Sequence, residues 1–454
     1  MAESYRTMSF LPLAATLIAS KARIVTMTAA TAASAPVAKP SGLSLPQGVA
    51  LYVGAVLGTG VIALPALAAR AAGPASLLAW LGLVLASIPL AATFAALGAR
   101  HPDSGGVSTY ARRAFGSRAA ALVGWWFYSA VPAGAPAAAI FAGGYVESAF
   151  GGGKTTVYAT ALALFASVGV TNYFGIRLSG RVQLALAGVL VLLLAVAAVA
   201  SLPHAHLSNL RPFAPNGWLA IGSAAALLVW SFAGWEAVTH LAAEFRRPER
   251  DLPRATGLAI VIVGGLYLAI ATASILVLGA SAGDTDAPLA ELLAISFGGP
   301  AKTVAALVAL LLTFGVMNTY HAGAAKLGAA LGRDAALPAW LSQGSEAGTI
   351  PRRSLGLTMV LGLTGLAVIA VTGVGTGPLV LATTGSFVAV YAVGVAAAVR
   401  LLPRRSAGWW TAIVALATVA VLMATTGPYL IWPVAVGVIA LLYLQRTKPS
   451  RAEP

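Results

Sequence analysis

Stretches of about twenty apolar residues, almost free of charge and returning along most of the chain, leave this sequence few folds to choose from. The run GRVQLALAGVLVLLLAVAAVASL over residues 180–202 has no ionisable side chain beyond Arg181. At 1.5 Å per residue, roughly twenty helical residues match the roughly 30 Å hydrocarbon core of a bilayer. Twelve such segments can be placed, near 46–69, 74–99, 119–147, 155–174, 180–202, 217–243, 255–281, 299–330, 354–373, 377–400, 407–425 and 428–445. Only 9% of the residues are charged, against about 25% in a soluble domain, so the chain could not cover its own surface in water. The expected fold is an all-α polytopic membrane protein.

A net charge of +15 raises the possibility of a nucleic-acid partner, and the placement of that charge answers it. With the N-terminus in the cytoplasm, Arg70, Lys154, Arg211 and Lys302 are the only ones of the 28 lysines and arginines that fall in external connections. That asymmetry obeys the positive-inside rule. The charge is therefore a topology signal, which places both termini inside and assigns no nucleic acid. The external connection carrying Asp284, Asp286 and Glu291 reads as a solvated acidic loop. Residues 1–43 hold one short apolar run, Phe10 to Ala19, and read as a disordered cytoplasmic extension or the product of a start assigned too early. Residues 446–454 read as a cytoplasmic tail. The absence of cysteine excludes disulfides, thiol catalysis and cysteine metal sites.

Inside the first segment stands LGTGV, residues 57–61. Each glycine weakens a helix by about 0.5–1 kcal/mol relative to alanine. Two readings are open. Either the glycines are packing surfaces for a neighbouring helix, or the helix is unwound there, which hydrocarbon tolerates only where protein or ligand satisfies the backbone. The sixth segment, LLVWSFAGWEAVTHLAAEFRRPERDLPRA, again has a mid-span glycine, Gly234, among Trp230, Phe232 and Trp235. Segments one and six begin two five-helix halves, 44–202 and 217–400, with 407–445 as a final pair, and an odd repeat inverts the second half. Paired interruptions at equivalent positions point to a midplane site. Half-helix amides suit an anionic group and freed carbonyls suit a cation or ammonium, and an amino acid carries both. Glu236, near mid-bilayer, must be partnered or protonated: it is either a fixed acceptor for freed amides or a proton carrier. His240, one turn on, reads as a hydrogen-bonded partner or an inner-vestibule residue rather than a metal ligand.

The motifs GTGVIALP, HPDSGGVSTYARRAFG and FAGWEAVTHLAAEFRRPERDLPRA resemble those of the amino acid–polyamine–organocation superfamily of transporters. Within it the chain is most similar to the L-methionine and branched-chain amino-acid exporter group of bacterial inner membranes. The resemblance implies a leucine-transporter-like five-plus-five inverted repeat with helices 1 and 6 broken. It implies that Leu57, Gly58, Thr59, Gly60 and Val61 receive the substrate carboxylate, and that Ser231, Phe232, Ala233 and Gly234 receive the ammonium. Trp230 falls beside the substrate side chain, Phe232 serves as a lid, and Trp235 packs. Glu244, Arg247 and Arg250 form a cytoplasmic gate latch, while Tyr110 and Phe115 share an apolar stripe leading into helix 3. The partners implied are a neutral amino acid, protons and the lipid bilayer.

Departures from the superfamily pattern bear on coupling. The fifth helix lacks the lysine of some proton-coupled relatives, and Asn318 and Thr319 fit a sodium site only loosely. Proton antiport through Glu236 is the expected coupling. An importer or exchanger of the same superfamily is the alternative, since sequence does not set flux direction. No HExxH pair and no GxxxxGK[ST] loop is present, so neither a zinc hydrolase nor an ATP-driven pump is expected, and no cofactor is implied.

Overall fold

The computed structural model describes residues 44–101, 106–175, 180–236, 245–346 and 349–446, without the side chains of 180–183 and Phe232. The expected extension 1–43, His240 and Glu244 lie outside them. The described residues belong to one compact unit, 43–454, and among them every regular element is helical. In chain order these are α1 (Leu45–Val56), α2 (Gly60–Ala72), α3 (Ser76–Arg100), α4 (Gly106–Phe115) and α5 (Ser117–Phe150). Then come α6 (Gly153–Tyr173), α7 (Gly180–Ser201), α8 (Ala220–Leu228), α9 (Pro248–Ala273) and α10 (Pro288–Phe297). The chain ends with α11 (Ala301–Arg333), α12 (Arg352–Thr372), α13 (Gly377–Leu401), α14 (Ala407–Thr426) and α15 (Ile431–Arg446).

Eight stretches of the described residues are long and apolar enough to cross a membrane: Gly60–Arg100, Ser117–Phe150, Leu184–His204, Pro248–Gly283, Ala301–Arg333, Arg352–Thr372, Gly377–Leu401 and Ala407–Arg446. Twelve were expected. The difference has local causes. The first expected span is divided into α1 and α2, and the sixth leaves helical geometry after Phe232, so α1 and α8 are short. Helix α6 has the length but carries Lys154, Thr155, Thr156, Asn172 and other polar residues. Two of the eight stretches each hold two expected spans: Gly73, at φ 61°, links α2 to α3, and Gly427, at φ 55°, links α14 to α15. The short apolar helix α10 was not expected at all; it lies in the connection read as an acidic loop, where Glu291 pairs with Lys302 at 2.6 Å and Asp286 with Arg70 at 3.8 Å.

Helix α5 stands at the centre, against α4, α6, α11, α12, α13 and α15. Two thirds of its buried residues are Ala or Gly, the composition that lets membrane helices pack closely. A Cβ on Gly124 would stand 2.7 Å from the Leu331 side chain of α11. The indoles of Trp125 and Trp126 donate to the carbonyls of Ala336 and Pro433, at 2.7 and 2.8 Å, and so tie α5 to the loop after α11 and to α15. Tyr110 of α4 is fully buried, whereas Phe115 is 44% exposed with the Arg400 guanidinium 5.6 Å above its ring. Five residues apart on a helix they lie on different faces, so they do not share the expected stripe.

Candidate functional site

The break in the first span is built from three residues. Helix α1 ends at Val56, and Leu57, at φ −72° and ψ 58°, makes an inverse γ-turn in which the Gly58 amide donates to the Val56 carbonyl at 2.7 Å. Helix α2 restarts at Gly60 with Thr59 as its N-cap, and the Thr59 side chain does not cap it. The first amides of a helix have no intrahelical acceptor, and Val61 N–H reaches back to Gly58 only at 3.4 Å. The two glycines do different things. A Cβ on Gly60 would stand 2.5 Å from Ser231 Oγ and 3.0 Å from Trp230, so α2 starts in contact with the sixth span; a Cβ on Gly58 would meet nothing within 4 Å.

The sixth span runs from α8 through a tight 3-10 turn, Val229–Phe232, and then extends at Ala233, φ −68° and ψ 137°. Gly234 takes φ 123°, and a Cβ there would stand 2.8 Å from the Ala55 carbonyl oxygen. The two breaks therefore lie against each other. Tyr267 of α9, fully buried, points its hydroxyl at the carbonyls of both, Val56 at 2.9 Å and Ser231 at 2.8 Å. Glu236, 3% exposed, accepts from the Gly234 amide at 3.0 Å and from the Tyr391 hydroxyl of α13 at 2.6 Å. Tyr145 of α5 donates to Ile62 C=O at 2.6 Å, in the first turn of α2. Replacing Tyr267 by phenylalanine leaves the Ser231 carbonyl short of this donor in a dry core. A loss of about 1–3 kcal/mol is expected, read as a lower unfolding midpoint of the purified protein in detergent.

Beside the breaks lies a small cavity of about 70 Å³. Gly58 and Thr59 line it from the first break, Trp230 and Ala233 from the second. Helix α5 contributes Ala130, Gly134 and Ala138, α11 contributes Met317, Tyr320 and His321, and α13 contributes Thr383 and Phe387. Gly134 makes room for Trp230, whose ring would stand 2.7 Å from a Cβ there. Tyr320, on this wall, is 38% exposed. No lining side chain is a carboxylate, lysine or arginine. His321 is fully buried; its Nδ1 is 2.9 Å from the Met317 carbonyl, and its Nε2, like Ser231 Oγ, has no hydrogen-bond partner among the described residues.

Of the expected site residues, Gly58, Thr59, Trp230 and Ala233 line the cavity. Leu57, Gly60, Val61, Ser231, Gly234 and Glu236 are buried behind it; they shape and hold the breaks. Trp235 is buried and packs 6.0 Å from Tyr52, centroid to centroid. The backbone of Phe232 closes the 3-10 turn. Arg247 pairs with Asp251 of its own helix at 3.6 Å, and Arg250 is exposed. Asn318 Oδ1 accepts from Thr171 at 2.8 Å and Asn172 at 2.7 Å, and Thr319 donates to Gly315 C=O at 2.9 Å. Both residues named for a sodium site thus have other bonds. Among the described residues no cluster of three His, Cys, Asp or Glu stands ready for a metal. Sequence reading passed over Tyr145, Tyr267, Tyr391, Tyr320 and Thr383. The signal for the tyrosines was available: a phenol inside an apolar span needs a partner.

A bundle of membrane-length apolar helices, with a cavity free of charged side chains beside two helix breaks, is the architecture of a membrane transporter. Residues 43–453 match the amino acid permease family, and the chain belongs to it, as a multi-pass member of the amino acid–polyamine–organocation superfamily. Among curated proteins it is 33% identical over 394 residues to the uncharacterized amino acid permease YecA of Bacillus subtilis, covering 86% of this chain and 92% of that one. It is 37% identical over 279 residues to the L-methionine/branched-chain amino acid exporter YjeH of Escherichia coli, covering 60% of this chain and 65% of that one. The branched-chain amino acid permease BcaP of Bacillus subtilis is 29% identical over 236 residues, 47% of this chain and 50% of that one. The chain transports amino acids.

Proposed function

We propose that the protein exports neutral amino acids, methionine and the branched-chain series foremost, across the bacterial inner membrane by alternating access coupled to inward proton flow. One observation carries the substrate class: the cavity offers apolar walls and two helix breaks but no charged side chain. A zwitterion can be held there by backbone groups at its two ends, carboxylate toward the start of α2 and ammonium toward the carbonyls around Ser231–Gly234. Trp230, Phe387 and the alanines of α5 then face an apolar substrate tail. A basic or acidic side chain would enter without a counter-charge, which a low-dielectric site penalises.

The proposed topology is twelve spans with both termini cytoplasmic, as two inverted five-helix halves and a final pair. Gly60–Arg100, at 41 residues, would extend about 60 Å if straight, twice the hydrocarbon thickness. Its turn at Gly73 supports two crossings, and the turn at Gly427 does the same for the last pair. Glu236 is the proposed coupling residue. Its Oε2 holds both the Gly234 amide and the Tyr391 hydroxyl, so a proton arriving there alters the acceptor on which the break depends. The second reading is an importer or exchanger of the same family, since neither the sequence nor a relative's name sets the direction of flux.

The deciding experiment loads cells with a methionine-containing dipeptide and follows free methionine, leucine and isoleucine leaving cells with and without the protein. Faster efflux with the protein is expected. Equal efflux, with uptake restored in vesicles, selects the importer. Gly58→Leu tests the cavity itself: a Cβ there meets nothing within 4 Å and Gly58 lines the cavity, so the unfolding midpoint should hold while methionine flux falls by about tenfold or more.

A further inference from the structure

A second concavity lies on the outer surface of the bundle, between α6 and α12. It measures about 590 Å³ and is lined by Leu162, Phe165, Ala166, Gly169, Val170, Tyr173 and Phe174 on one side, with Met359 and Leu363 on the other. The α6 residues recur at helical spacing, so the groove runs along the helix. From Leu162 to Tyr173 it extends about 16 Å, half the hydrocarbon thickness and so the depth of one leaflet.

The end of the groove is charged. The Arg352 guanidinium lies 4.8 Å over the Tyr173 ring, and its Nε donates to the Tyr173 carbonyl at 3.3 Å. Arg353 donates to Trp340 C=O at 3.2 Å. Both arginines are exposed and occupy the first turn of α12, the positive end of its dipole. Among the described residues neither forms an ion pair. The ring that closes the groove is the ring that holds the cation, so an apolar channel one leaflet deep ends on fixed positive charge.

We propose that this groove binds a phospholipid with an anionic head group, one acyl chain along α6 and the phosphate on Arg352 and Arg353. Basic pockets between membrane helices take such head groups, and neither feature alone would select for one. The bound chain would lie close to the transport path: Phe165 of the groove meets His321 of the cavity edge to face, centroids 6.1 Å apart. One pair of rings separates tail from substrate.

The test is native mass spectrometry of the full-length protein in detergent with phosphatidylglycerol or phosphatidylcholine added. Wild type should retain phosphatidylglycerol preferentially. Arg352→Gln and Arg353→Gln should each reduce that preference roughly fivefold. Ala166→Trp, at an exposed position, should fill the groove and displace both lipids. Retention blind to head group, or retention that survives Ala166→Trp, overturns the site. So does a protein dimer lost on Ala166→Trp with lipid retention unchanged, which would make the groove a seat for a second copy.

Discussion

Gly234→Ala is expected to abolish amino-acid flux and lower the stability of the fold. At φ 123° the backbone lies outside the regions an L-residue adopts readily, a strain of about 1–3 kcal/mol. The added methyl also points at the Ala55 carbonyl, 2.8 Å away, and backbone does not yield as a side-chain tip does. Relief would come only by separating the two breaks. That separation removes the shared hold of Tyr267 and moves Trp230 and Ala233, both on the cavity wall. The result is read as a fall in unfolding midpoint in detergent together with loss of flux in vesicles. Normal flux at a normal midpoint would show that the break tolerates a side chain and that its geometry is not set by contact with α1.

The second large effect is at Glu236, where two substitutions separate two roles. Glu236→Ala takes the acceptor from the Gly234 amide and the Tyr391 hydroxyl, both buried. An orphaned buried donor costs about 1–3 kcal/mol, so a destabilisation of roughly 2–6 kcal/mol is expected for the pair. Glu236→Gln keeps an acceptor oxygen for those donors and should preserve most of the fold, but it cannot take up a proton. If Glu236 couples transport to protons, the glutamine variant exchanges substrate across the membrane at equal pH yet no longer responds to a pH gradient. Retained pH-driven efflux would leave Glu236 as a structural acceptor alone, and the coupling proton would have to be carried elsewhere.

Most of the architecture was legible because the bilayer reduces a three-dimensional question to a one-dimensional one. A span needs a given length of apolar chain whatever surrounds it, so α3, α5, α7, α11, α12 and α13 fall within a few residues of their expected places. The interruptions at LGTGV and FAGWE were also readable as weak points, because mid-span glycine has few uses. Which use applied was not readable. Packing against a neighbour and opening toward a ligand have the same composition, and here the pentapeptide does both: Gly60 packs against Ser231 and Trp230, while Gly58 leaves space.

By itself the sequence determined the membrane class, the positions of most long helices and the two places where helix would fail, since each depends on local composition against a fixed thickness of hydrocarbon. Only the tertiary structure decided what completes those failures. Tyr267, Tyr391 and Tyr145 come from other helices, far away in the chain, and bring hydroxyls to the carbonyls and the carboxylate of the breaks. The same holds for the cavity wall, which Thr383 and His321 share with Gly58 only because α11 and α13 pack on α5. Hydrogen-bond satisfaction across such distances is a property of the packed bundle, and no local pattern encodes it.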